Sequence, residues 1–211
     1  MARVLLKRLV NQIFPIQLKG AAMKLKTLHD VFVDQLKDLY SAESQLIRSM
    51  PKMAKMSKTP ELVQCLEEHL KVTERQRDRL DQISEILGEK LTGKSCKAMK
   101  GLLEEGREAE ESDKGPLRDS LIVAAAQRIE HYEISAYGTA RAMAKALNKP
   151  QVAELLDATL QEEGDADKKL TSVVFDAVYP KVPAAEAANG ESHGRNGSSG
   201  GKKEGKAKLG R

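Results

Sequence analysis

Residues Leu36–Met53 read LKDLYSAESQLIRSMPKM. Leu36, Leu39, Leu46, Met50 and Met53 fall on the alternating three-and-four spacing of a core-facing helical stripe, and Glu43 stands in the middle of it. A helix bundle needs an apolar side chain at that place. An ionised carboxylate in a dry interior costs several kcal/mol unless something neutralises it. The rest of the chain repeats the anomaly.

The helical pattern covers Leu28 to Met56 and breaks at Ser57 to Pro60. Thr59, Pro60 and Glu61 read as an N-cap, a first-turn proline and an acidic first turn of a second helix that stops at Gly88. Its stripe is Leu62, Leu66, His69, Thr73, Gln76, Leu80, Ile83 and Leu87. Cys96 to Glu110 forms a shorter helical crossover. Gly115 and Pro116 open a third long helix, Leu117 to Leu147, whose stripe holds Ala126, Glu130, Glu133, Tyr137 and Ala140. Asn148 to Pro150 turn the chain into a fourth, ending near Val178, with Leu156, Leu160, Glu163, Asp167, Leu170 and Val174 on one face. Short links make antiparallel neighbours, and the long link between the second and third helices carries the chain across the end of the bundle. The expected fold is all-α: a ferritin-like antiparallel four-helix bundle with a short extra helix in the crossover.

Composition supports this. Of 211 residues 40% are hydrophobic but only 3% aromatic, so the core must be aliphatic. No alternating strand pattern is present. The net charge of +4 comes largely from the two ends, which argues against a structured, specific nucleic-acid face. Cys65 and Cys96 fit neither a disulfide framework nor a thiolate zinc site, and a reducing cytoplasm is the expected compartment. Residues 1–22 carry Arg3, Lys7, Arg8 and Lys19 with an interrupted apolar stretch too short for a membrane span. They read either as a transit-like amphipathic peptide or as an over-extended start ahead of Met23. Residues 23–180 form the bundle domain, and the Gly/Ser/Lys-rich tail over 181–211 is expected to be disordered.

Glu43, Glu130, Glu133 and Glu163 all lie within about one turn, roughly 5 Å, of the midpoints of their helices. His69 lies about five residues from the midpoint of its own. Asp167 shares the face of Glu163. These carboxylates would repel one another without cations, and carboxylate with imidazole suits two iron or manganese ions. Tyr40 and Tyr137 are placed to hydrogen-bond a ligand carboxylate, and Thr73 lies one turn beyond His69.

The stretches HDVFVDQLKDLYSAESQL, KSCKAMKGLLEE, LIVAAAQRIEHYEISAYGTA and LLDATLQEEGDADKKL resemble the YciE/YciF-type ferritin-like stress proteins, over roughly Met23 to Asp176. The resemblance implies a four-helix fold, a homodimer, an association with stress and a dinuclear-type site. It places Glu43, His69, Glu130, Glu133, Glu163 and Asp167 at the family's polar positions, and His131 in the same motif but turned about 100 degrees from Glu130, as an outer or interface residue. Ferritin-like oxidases repeat Glu-x-x-His on two helices, whereas here Val72 stands three after His69 and Ala166 three after Glu163. Two functions follow as expectations. One is a metal protein that oxidises a metal or reduces a small oxidant such as peroxide; the other is a non-catalytic dimeric helical module with a metal-free polar core.

Overall fold

The computed structural model describes residues 25–183; the readings of residues 1–22 and of the tail beyond Pro183 lie outside them. Helix α1, Leu28–Met56, starts at a capping box in which Asp30 N–H donates to the Thr27 hydroxyl and Thr27 N–H donates to the Asp30 carboxylate. It continues through Pro51, which has no amide to donate to the carbonyl one turn back. Buried Met50, Met53 and Ala54 flank that proline and keep the last turn docked.

Helix α2, Pro60–Leu87, has Thr59 at its N-cap as expected, but the threonine side chain makes no capping bond. Asp119, from a distant part of the chain, instead holds the two residues that lead into the helix. Its carboxylate is fully buried and accepts from Lys58 N–H at 3.0 and 3.2 Å and from Thr59 N–H at 2.7 Å. Local sequence reading misses it because the acceptor lies 60 residues away. At its other end α2 stops at Gly88, in the left-handed region at φ 67°. Gly88→Ala would place a Cβ in that conformation and is expected to cost about 1 kcal/mol, measurable by urea denaturation.

The crossover holds α3, Lys97–Arg107, followed by a 3-10 turn over Glu108–Glu111. Helix α4 spans Pro116–Ala146 and α5 spans Pro150–Val173, continuing as a π-helical turn over Val174–Val178 and a 3-10 turn over Tyr179–Lys181. The sequence places these helices within a few residues of their observed ends; it misses the change of winding at Val174.

α1 packs on α2 and α4, α5 on α2 and α4, and α3 lies over α4 and α1. With short links at both ends and the long crossover between α2 and α4, this is the ferritin-like connectivity. The described residues contain no strand. No helix among them is long and apolar enough to cross a membrane.

The apolar interior falls into separate clusters. At one end Phe32, Leu36, Leu39, Leu80, Ile83, Tyr137 and Leu156 pack together. At the other are Met53, Leu62, Leu66, Ile122, Leu170 and Val178. A third group, including Leu46, Met99 and Ile129, lies under α3. Between the two ends the four long helices bury Glu43, Thr73, Gln76, Glu130, Glu133 and Glu163 instead of leucines. The core is thus interrupted by a polar layer.

Candidate metal centre

Each long helix contributes to that layer through the register of its own apolar stripe. The flanking leucines of α1 point inward and carry Glu43 with them; Ala126 and Tyr137 do the same for Glu130 and Glu133 on α4, and Leu156 and Leu170 for Glu163 on α5. The four glutamates are 0–2% exposed. His69 of α2 brings Nε2 to 3.3 Å from Glu130 Oε1 and 3.8 Å from Glu163 Oε2. One donor atom each from His69, Glu130 and Glu163 lie within 4.8 Å of one another.

Hydrogen bonds fix one side of the layer. The Tyr137 hydroxyl donates to Glu43 Oε1, and the Gln76 amide donates to Glu163 Oε1. Arg79 holds Glu162 through two bonds of 3.0 Å and donates to the Thr159 hydroxyl at 2.6 Å. Gln76 also reaches Glu162, at 3.2 Å, so this set ties α2 to α5 beside the buried acids. The other side of the layer is unsatisfied. Glu43 Oε2, Glu130 Oε2, Glu133 Oε1, Glu163 Oε2 and His69 Nε2 are all buried without a hydrogen-bond partner. Native proteins rarely leave such groups unpaired, because each costs roughly 1–3 kcal/mol. Five in one layer therefore suggest an additional binding partner.

Burial sets the electrostatics. It pushes the Glu43 carboxyl up to about 8, against the Tyr137 hydroxyl and His69, which favour the charged form. Burial also raises Glu133 and Glu163 well above the usual carboxylate range, and their glutamate neighbours add to it. For His69 burial opposes protonation, but Glu130 and Glu43 outweigh it and raise the imidazole. These are the signs of a layer with too much negative charge for its surroundings. The donor set consists of carboxylate oxygens and one imidazole, which fits iron or manganese. Ionised, four glutamates carry four charges, which two divalent ions neutralise.

The sequence-predicted residues divide. Glu43, His69, Glu130, Glu133 and Glu163 meet in the layer, and Tyr137 supports Glu43 as expected. Asp167 does not join them. Four residues beyond Glu163, it is turned by about 40 degrees, and its Oδ1 accepts from Gln127 of α4 at 3.1 Å. His131, with an exposed side chain, lies 3.4 Å from that same Asp167 oxygen. These two side chains bridge α4 and α5 at the surface. Thr73 donates to the His69 carbonyl of its own helix and so braces the backbone under the imidazole. Tyr40 is half-buried at the edge of the core, and the charged groups near its hydroxyl are Asp81, Arg77 and Asp78, away from the layer.

Over residues 27–181 the chain matches a family described as a domain of unknown function, DUF892. It is similar to protein YciF of Escherichia coli, with 42% identity over 162 residues, which span 76% of this chain and 98% of that one. The crystal structure of the Escherichia coli stress protein YciF matches with a TM-score of 0.70, covering 72% of this chain and 96% of that one. YcfI of Rhodopseudomonas palustris matches with a TM-score of 0.70 at 39% identity, covering 73% of this chain and 99% of that one. The chain belongs to the DUF892 family, as a ferritin-like relative of YciF.

Proposed function

We propose that this protein binds two divalent iron or manganese ions in the polar layer of its bundle and uses them in stress defence, in the handling of peroxide or of the metal itself. The observation that carries the reading is the set of unpartnered, buried carboxylate and imidazole atoms contributed by all four long helices. Glu43, Glu130, Glu133, Glu163 and His69 hold the ions. Bound iron or manganese supplies one-electron redox chemistry and a Lewis-acidic face. Tyr137 and Gln76 orient Glu43 and Glu163 through the oxygens they bond, and Arg79 fixes Glu162 beside them. The Escherichia coli relative is described as a stress protein, which supports the physiological setting. A homodimer in the cytoplasm belongs to the same reading.

Elemental analysis of protein expressed in metal-supplemented medium tests it. The wild type is expected to carry iron or manganese, and Glu43→Ala to carry half as much or less. Unchanged stoichiometry rejects Glu43 as a ligand, and metal-free wild type rejects the centre. A second reading, a non-catalytic helical module with a metal-free core, draws on the bonds from Tyr137 to Glu43 and from Gln76 to Glu163, which leave each acid half-satisfied by protein. It is separated by melting temperature. A folded-state metal site raises the temperature with metal concentration by mass action, and a metal-free core does not respond.

A further inference from the structure

The polar layer opens on one side into a cavity of about 280 Å³ between α2 and α5. That is near the lower end of small-ligand pockets, which start at roughly 300 Å³. His69 and Glu130 form part of its lining; Glu130 Oε2 there has no hydrogen-bond partner, and His69 Nε2 has only its ion-pair contacts with Glu130 and Glu163. Leu66, Val72, Ala166 and Leu170 form its apolar walls, with the buried thiol of Cys65 among them, and Glu162 and Asp165 line it as well. Lys169 of α5 pairs with Glu68 of α2, and both half-exposed residues also line the cavity.

Two of these walls account for the space. Val72 stands three residues after His69, and Ala166 three after Glu163. After Glu163, position 166 is where a Glu-x-x-His arrangement would set an imidazole one turn on, and Val72 lies one turn beyond the imidazole that α2 already supplies. Small apolar side chains stand at both positions. Where an imidazole would add a ligand, this chain has room beside the centre.

We propose that the cavity is the ligand pocket of the centre and takes a small molecule with an apolar body of a few carbons and one oxygen-donor head. The head reaches the His69 and Glu130 end, and the body lies against Val72 and Ala166. Water or hydrogen peroxide can occupy the polar end, but neither reaches the apolar walls, which have contacts to offer only to a longer molecule. The proposal rests on the reading of a metal in the layer only for the head; the walls select the body with or without it.

The test titrates straight-chain carboxylates, acetate to hexanoate, into the manganese-loaded full-length protein by calorimetry. Affinity is expected to rise about fourfold for each methylene buried, and the rise is expected to flatten in Ala166→Leu and in Val72→Phe with manganese content unchanged. Affinity independent of chain length in the wild type overturns the proposal. So does a chain-length dependence that survives in both variants. If elemental analysis finds no bound manganese, the centre fails by that measurement, and neutral alcohols from propanol to hexanol on the metal-free protein decide the pocket. A chain-length gain that Ala166→Leu abolishes sustains it; the absence of a gain, or a gain that persists in Ala166→Leu, discards it.

Discussion

Replacing Asp119 with alanine lowers folding stability by about 3 kcal/mol, the size expected when charge-assisted bonds to backbone amides are lost and the amides remain buried. The carboxylate is fully enclosed and is the side-chain acceptor for the amides of Lys58 and Thr59. Thr59, the residue at the cap position, offers no substitute. At roughly 2–4 °C per kcal/mol for a chain of this size, scanning calorimetry should show the melting temperature falling by about 6–12 °C. Asp119→Asn keeps an acceptor oxygen but not the charge, and is expected to fall between the two. Metal content per folded chain should not change, because Asp119 lies outside the polar layer. A loss below about 1 kcal/mol would mean that water reaches those amides once the carboxylate is gone.

The second large effect is on pH. The metal-free protein is expected to be most stable near pH 5 and to lose stability steadily toward pH 8. Glu43 ordinarily titrates at 4.5 and is held at about 8 in the fold, and Glu133 and Glu163 move in the same direction. Between the ordinary and the raised value the folded chain keeps protons that the unfolded chain has released, so unfolding becomes easier as pH rises. His69 adds to this trend. Its imidazolium gains carboxylate partners on folding, a gain complete below its ordinary value of 6.5 and lost as pH climbs through the raised one. One group carrying one pH unit is worth about 1.4 kcal/mol, or roughly 3–6 °C per pH unit here. Melting curves of chelator-treated protein across this range measure the slope. Manganese should flatten it at the alkaline end, where the carboxylates are ready to bind. A level profile without metal would contradict the enclosure of these carboxyls.

Much of this centre is legible in the sequence because a buried glutamate violates the pattern its own neighbours set. Leu39 and Leu46 fix the inward face of α1, and Glu43 has no other direction to take. The same logic finds Glu130, Glu133 and Glu163. Matching helix midpoints sets His69 apart by about five residues, yet it reaches Glu130 and Glu163, because packed helices stagger along their axes and imidazole is long. Periodicity overreaches at Asp167, where the rotation of a further turn aims the carboxylate at Gln127 and His131. Tyr40, read in the sequence as able to hydrogen-bond a ligand carboxylate, borders the core, and the charges that act on its hydroxyl are those of Asp81, Arg77 and Asp78. Arg79, Glu162 and Asp119 are missed for another reason. They carry charge at positions that read as solvated, and only tertiary packing gives each its partner.

The link between Asp119 and the start of α2 also bears on the order in which a nascent chain can assemble. Synthesis delivers the first two helices long before position 119 leaves the ribosome, so the α1–α2 hairpin emerges with the amides of Lys58 and Thr59, at the entry to its second helix, lacking their acceptor. That hairpin is free to fray at Lys58 and Thr59 until the crossover and the first turn of α4 arrive. Completion of the hairpin therefore waits on the second half of the molecule.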